Sequence, residues 1–292
     1  MRYIIGIVAA FSCAVTAPAH AAPTPVVLEP ASPWNVRYDD DSCRLSKMFG
    51  EGKTETAFFV ERYEPSASLF MLVAGQPLKW ASRSEKMDIA FSPAGPTKEI
   101  TYTLGNLGKL EPAIMATLLL DQNFAKESAV RTFTDYDTID EKQFSDVDTL
   151  TLQMPGKRNL VLKLGDMSAP MASLRKCTRE LVTHWGIDVE KHDHLTRRVS
   201  PISSPGKWID SADYPAMARF AGKQGLVQFR LNVDAQGKAT ACHIQKATKP
   251  DEFADTVCRA MMENARFEPA LDANGQPIAS YFRSAVSFRM RR

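Results

Sequence analysis

Gly225-Leu226-Val227-Gln228-Phe229-Arg230-Leu231-Asn232-Val233 is the stretch on which the fold of this chain turns. Its apolar side chains at 227, 229, 231 and 233 alternate with polar neighbours, the period of a strand that buries one face. Asp234-Ala235-Gln236-Gly237 turns the chain, and Lys238 to Gln245 reads as the return strand of a hairpin. Upstream, Tyr214-Pro215-Ala216-Met217-Ala218-Arg219 predicts a short helical turn, with Pro215 suited to its first position. Downstream, Pro250 to Ala265 carries Phe253, Val257 and Met261 on one helical stripe. After Ala265-Arg266-Phe267-Glu268-Pro269-Ala270 and an Asp272-Ala273-Asn274-Gly275 turn, a last strand alternates Phe282, Ser284, Val286, Phe288 and Met290. Helix, hairpin, helix and closing strand predict a small α+β unit.

In order and spacing these blocks resemble the C-terminal domain of the TonB energy transducers of Gram-negative bacteria. The matching residues are Tyr214-Pro215, the run Gly225 to Val233 with Asp234 and Gly237, and Ala265 to Ala270. The resemblance covers residues 206–292 only. It implies capture of a short extended segment of an outer-membrane receptor, with Tyr214 and Pro215 close to the partner. If the closing strand lies at a sheet edge, its free backbone groups accept an added strand. Arg283, Ala285, Ser287 and Arg289 are then its candidate partner-binding residues, with Arg283, Ser287 and Arg289 facing outward. The chain departs from the family in two places. The family's Gln-Pro-Gln before Tyr-Pro is here Asp210-Ser211-Ala212-Asp213, and no long Pro-Lys or Pro-Glu tract precedes the domain.

The 292 residues suffice for two ordinary domains, and 24% charged with 44% apolar residues describe a globular protein. A net charge of +2 gives no argument for a nucleic-acid partner. The N-terminus has an apolar run from Ile4 to Val15 and then Ala19-His20-Ala21 before Ala22, the pattern of a secretory signal peptide cleaved between Ala21 and Ala22. The run is shorter than the roughly 20 residues of a spanning helix. A periplasmic protein is expected, associated with the inner membrane only if the signal stays uncleaved.

Export leaves Cys43, Cys177, Cys242 and Cys258 in an oxidising compartment. Four cysteines allow three pairings, and the domain reading selects one. Cys242 lies on the hairpin's return strand and Cys258 on the helix expected to cover it, while Cys43 and Cys177 both belong to the N-terminal region.

The organisation read from the sequence is a signal peptide (1–21), a β-rich α+β domain (31–186), a polar linker (187–205) and the TonB-like domain (206–292). Residues 22–33 read as an extended Pro-rich leader. Strands are expected at 36–38, 56–63, 68–73, 87–91 and 99–104, with a hairpin of 149–153 and 159–163. A helix enters at Ser168-Ala169-Pro170, buries Met171, Leu174, Cys177, Leu181 and Trp185, and ends at Gly186. Residues 110–148 are ambiguous by periodicity.

Among constellations that carry chemistry, His192-Asp193-His194 is the best metal candidate, but its place in the linker favours a solvated polar loop. Cys242-His243 would point to opposite faces of a strand. The acidic residues Asp39 to Asp41, Asp135, Asp137, Asp140 and Glu141 read as ordinary turns, and no nucleophile elbow, zinc-protease or phosphate-loop motif appears. The expected function is therefore non-catalytic, without metal or cofactor: binding of an envelope protein segment by strand addition. The alternatives are a shortened energy transducer held by an uncleaved signal anchor, a peptidoglycan-binding protein, and an enzyme whose N-terminal domain brings carboxylates or His184 together in a pocket.

Overall fold

The hairpin forms as its alternation requires. The strand runs over Gly225–Val233 and buries Val227, Phe229, Leu231 and Val233, while its partner spans Ala239–Ala247. Gly237 closes the turn at φ +76°, where a Cβ would meet the Phe267 carbonyl oxygen at 1.9 Å. A computed structural model describes residues 24–290 except 82–85, 93–96, 121–131 and 154–156. The predicted signal peptide, with Ala21 and Ala22, lies outside the described residues.

In chain order the N-terminal part holds β1 (Val26–Leu28), β2 (Asn35–Tyr38), β3 (Cys43–Phe49), β4 (Thr56–Arg62) and β5 (Ser68–Gly75). It continues with β6 (Lys86–Ser92), β7 (Lys98–Thr101), β8 (Thr103–Leu107), β9 (Leu110–Leu119) and helix α1 (Phe133–Phe144). β10 (Thr149–Gln153), β11 (Leu160–Lys163), α2 (Ser168–His184) and the short α3 (Val189–His192) follow. The C-terminal part comprises β12 (Ser200–Pro201), α4 (Ala216–Phe220), β13 (Gly225–Val233), β14 (Ala239–Ala247) and α5 (Glu252–Asn264). It ends with β15 (Phe267–Glu268), β16 (Ala270–Leu271), β17 (Pro277–Ile278) and β18 (Ser280–Phe288).

The N-terminal strands form a six-stranded sheet, β2-β3-β4-β5-β9-β8, and a five-stranded sheet, β1-β11-β10-β6-β7. β4 is buried along its whole length because both faces are covered. Phe58 and Val60 enter the large core, and Phe59 joins Leu72, Ala74 and Ala113 on the other side. The expected hairpin of β10 and β11 forms, with Leu150 opposite Leu162. The Pro-rich leader contributes β1, which pairs in parallel with β11 and buries Leu28. Of the ambiguous stretch, residues 121–131 lie outside the described residues, and the rest forms β9 and α1, whose Thr132 and Asp135 form a reciprocal cap.

α2 packs Met171, Leu174, Cys177 and Leu181 into the same core, and Gly186 at φ +78° ends it. Asp166 accepts the first helical N–H of Ser168 at 2.8 Å. Both predicted disulfides are formed: Cys43–Cys177 ties β3 to α2, and Cys242–Cys258 ties β14 to α5. The C-terminal part has its own core, where β13, β15 and β18 meet α5 through Phe229, Phe267, Phe288 and Phe253. The whole is α+β.

The connector, read in the sequence as a polar linker, carries local structure. Asp188 caps α3 by accepting the Lys191 N–H, Leu195 is buried, and β12 pairs with β15. Val189 packs on the first core and Val199 on the second, so scattered apolar residues anchor a segment that shows no regular period.

Candidate functional site

β18 is the edge of a three-stranded sheet ordered β14-β13-β18. It pairs antiparallel with β13 from Gly225–Phe288 to Val233–Ser280. Phe282, Val286 and Phe288 turn inward, where Phe288 stacks on Phe253 at 4.5 Å and Phe282 lies against Phe267 at 5.0 Å. The alternation gives the opposite face to Tyr281, Arg283, Ala285 and Ser287.

That face is covered at one end by the N-terminal part. Tyr281 is buried in the N-terminal core, edge-on to Trp185 at 5.2 Å. Burial and the nearby Glu64 carboxylate hold the pKa of its hydroxyl well above the usual phenol value. Arg230, 3% exposed, stands 4.1 Å over the Trp185 ring and 3.8 Å from Asp41. Burial lowers its pKa, with Asp41 opposing the shift. Arg283 donates to Glu64 at 2.8 Å and to Gln245 at 2.5 Å, with its guanidinium 5.1 Å over Tyr63. His192 joins the connector to the first residue of β18. Its Nδ1 lies 2.7 Å from the Asp188 carbonyl, which only accepts, so Nδ1 carries the proton and Nε2 accepts from the Ser280 hydroxyl at 2.9 Å.

At its other end β18 opens, with Ala285 and Ser287 exposed. A groove of about 330 Å³ separates Ser284 and Ala285 from Tyr63, Glu64, Phe70 and Thr117. Tyr214 packs edge-on to Phe288 at 5.3 Å and to Phe253 at 5.9 Å, and its hydroxyl donates to the Lys223 carbonyl. Pro215 immediately precedes α4. Arg289 donates to Ser287 at 3.0 Å. The structure thus gathers Tyr214, Pro215, Ser287 and Arg289 near the open end, whereas Arg283 is engaged with the N-terminal part. Tyr63, Glu64, Phe70 and Thr117 were missed because nothing in their local sequence marks them as neighbours of a strand more than 150 residues away.

The remaining candidates take structural roles. His192 is buried between Phe133 and Tyr281 rather than solvated, and Asp193 accepts from Arg179 at 2.8 Å. Among the described residues no group of three or more His, Cys, Asp or Glu could hold a metal ion. Asp140 pairs with Arg62 inside the core, Asp137 with Arg179, Asp39 with Arg37, and Glu141 with Arg175. Beside a second groove of about 500 Å³, between β7 and β9, the one lining carboxylate among the described residues is Glu99, which pairs with Lys86 at 2.7 Å. Among the described residues no helix is long and apolar enough to cross a membrane.

No curated protein matches the chain. The solution NMR structure of Pseudomonas aeruginosa TonB CTD aligns at 21% identity with a TM-score of 0.27, covering 34% of this chain and 97% of that one. Residues 210–290 match the family described as Gram-negative bacterial TonB protein C-terminal.

Proposed function

We propose that this protein is a non-catalytic TonB-like component of envelope transport, acting in the periplasm by binding an extended protein segment. The segment adds to the free edge of β18, and outer-membrane receptors of the TonB-dependent kind are the partner class. The observation that carries the reading is the position of β18. Among the described residues it pairs with β13 alone, at the edge of the sheet, and Ala285 and Ser287 in its second half are exposed. An unpaired edge offers main-chain donors and acceptors that an extended peptide satisfies. The match of residues 210–290 to a TonB C-terminal family supports the same choice. In this reading residues 31–186 form a domain of their own, residues 187–205 link it to residues 206–292, and a signal peptide ahead of Ala22 is removed on export.

The test is a crosslinking pull-down from intact envelopes with the tagged full chain and with Ala285→Pro. The reading predicts enrichment of outer-membrane receptors by the wild type and its loss in a folded Ala285→Pro variant. Equal capture by both proteins, or recovery of peptidoglycan fragments alone, would contradict it.

A further inference from the structure

The groove beside β18 constrains what the edge will accept. We infer that a segment pairing with β18 is held between two parts of the chain. The second half of β18 supplies backbone pairing, and a wall of Tyr63, Ser66, Phe70 and Thr117 from the N-terminal part selects uncharged side chains. The inference rests on the strand-addition reading above and adds to it where the segment lies and what it must carry.

The open length of the edge comes first. Ser280 and Tyr281 are only 4% and 5% exposed, pinned by His192 and Trp185, whereas Ala285 and Ser287 are exposed. An added strand therefore pairs along the half from Ser284 to Phe288 and, continuing past Ala285, runs into the N-terminal part. The groove lies at that point, reaching over the sheet face to Gln228 of β13, with Arg283, Ser284 and Ala285 on one side and the β4–β5 corner with Thr117 on the other. Its volume of about 330 Å³ accommodates side chains of the segment there.

The chemistry of the walls decides which side chains fit. Glu61 already accepts from Arg44 at 2.8 Å, Ser42 at 2.9 Å and Tyr63 at 3.0 Å, and Glu64 accepts from Arg283 at 2.8 Å. Arg283 covers the face of Tyr63 at 5.1 Å, and Lys246 covers that of Phe70 at 4.8 Å. An incoming charge would lose water and find its counter-ions taken. A sugar ring would find these two aromatic faces occupied. Small apolar or hydroxyl side chains lose little on entry and meet Ser66, Ser284 and Thr117.

The probe is a displayed library of random peptides panned on the mature full-length protein. A synthetic copy of an enriched peptide is then titrated against variants. Thr117→Arg places a long cation in the groove from an exposed position without touching β18, and it should weaken binding by about tenfold or more. Thr240→Arg, exposed on β14 at the opposite edge, should leave binding unchanged. N-methylation of alternate peptide amides should abolish binding, which tests backbone pairing independently of how any protein variant folds. Enriched peptides should be poor in Asp, Glu, Lys and Arg. Loss on N-methylation with full binding to Thr117→Arg, or enrichment of charged peptides, would overturn the composite groove while leaving strand addition standing. Binding that survives N-methylation, or a library that yields no peptide, would overturn strand addition and this inference together.

Discussion

Burial disfavours the charged form of His192. It lies between the Phe133 and Tyr281 rings at 5.6 and 6.4 Å, and desolvation lowers its pKa below the ordinary 6.5, with Arg198 acting in the same direction against Asp188 and Asp193. A histidine whose pKa is lower folded than unfolded contributes stability that is fully present above the unfolded value. That contribution is lost as pH falls through about 6.5 and below, because the unfolded chain takes up the proton first. Thermal midpoints measured from about pH 7 to about pH 5 should therefore fall more steeply for the wild type than for His192→Asn, where this titration is absent. Parallel slopes would show that His192 does not link pH to stability. This residue also marks a limit of reading the chain alone. His192-Asp193-His194 looks solvated by composition, and only the burial of Leu195 and the contact with Ser280, 88 residues on, reveal the histidine as a packing element.

At the scale of elements, the disulfides differ in the length of chain they close. Cys43–Cys177 spans 134 residues of sequence and Cys242–Cys258 spans 16. In the chain-entropy account, removing the first by paired Cys→Ser substitution should cost about 5 kcal/mol, and removing the second about 3 kcal/mol. Urea unfolding of the two double variants measures the difference, and equal losses would mean that native-state contacts rather than loop closure set the cost. Both pairings were legible, as were the bounds of β13, because a period of two names the buried face directly. The same alternation names the second face only as polar. Gln228, Arg230 and Asn232 look like solvent-facing residues, yet Arg230 is buried against Trp185. Periodicity reports which side of a strand meets its own core and is silent on what covers the other side. The stretch 110–148 was illegible for another reason. β9 includes Pro112 and feeds two different neighbours, so no single period runs through it.

For the whole molecule, the open half of β18 and the groove beside it are where an extended partner is placed by this account. The C-terminal core was visible in the sequence from its apolar stripes, whereas the edge position of β18 entered that reading only as a condition. The half-closure of that edge by the N-terminal part was not, since it depends on Tyr281 leaving its own sheet's core for another. Residue-resolved amide hydrogen exchange over β18, with and without a peptide enriched on the full-length protein, tests the claim most directly. The account predicts new protection confined to residues 284–288, with β14 at the opposite edge unchanged. Unaltered exchange in β18 under saturating peptide, or protection gained along β14 instead, would contradict strand addition at this edge.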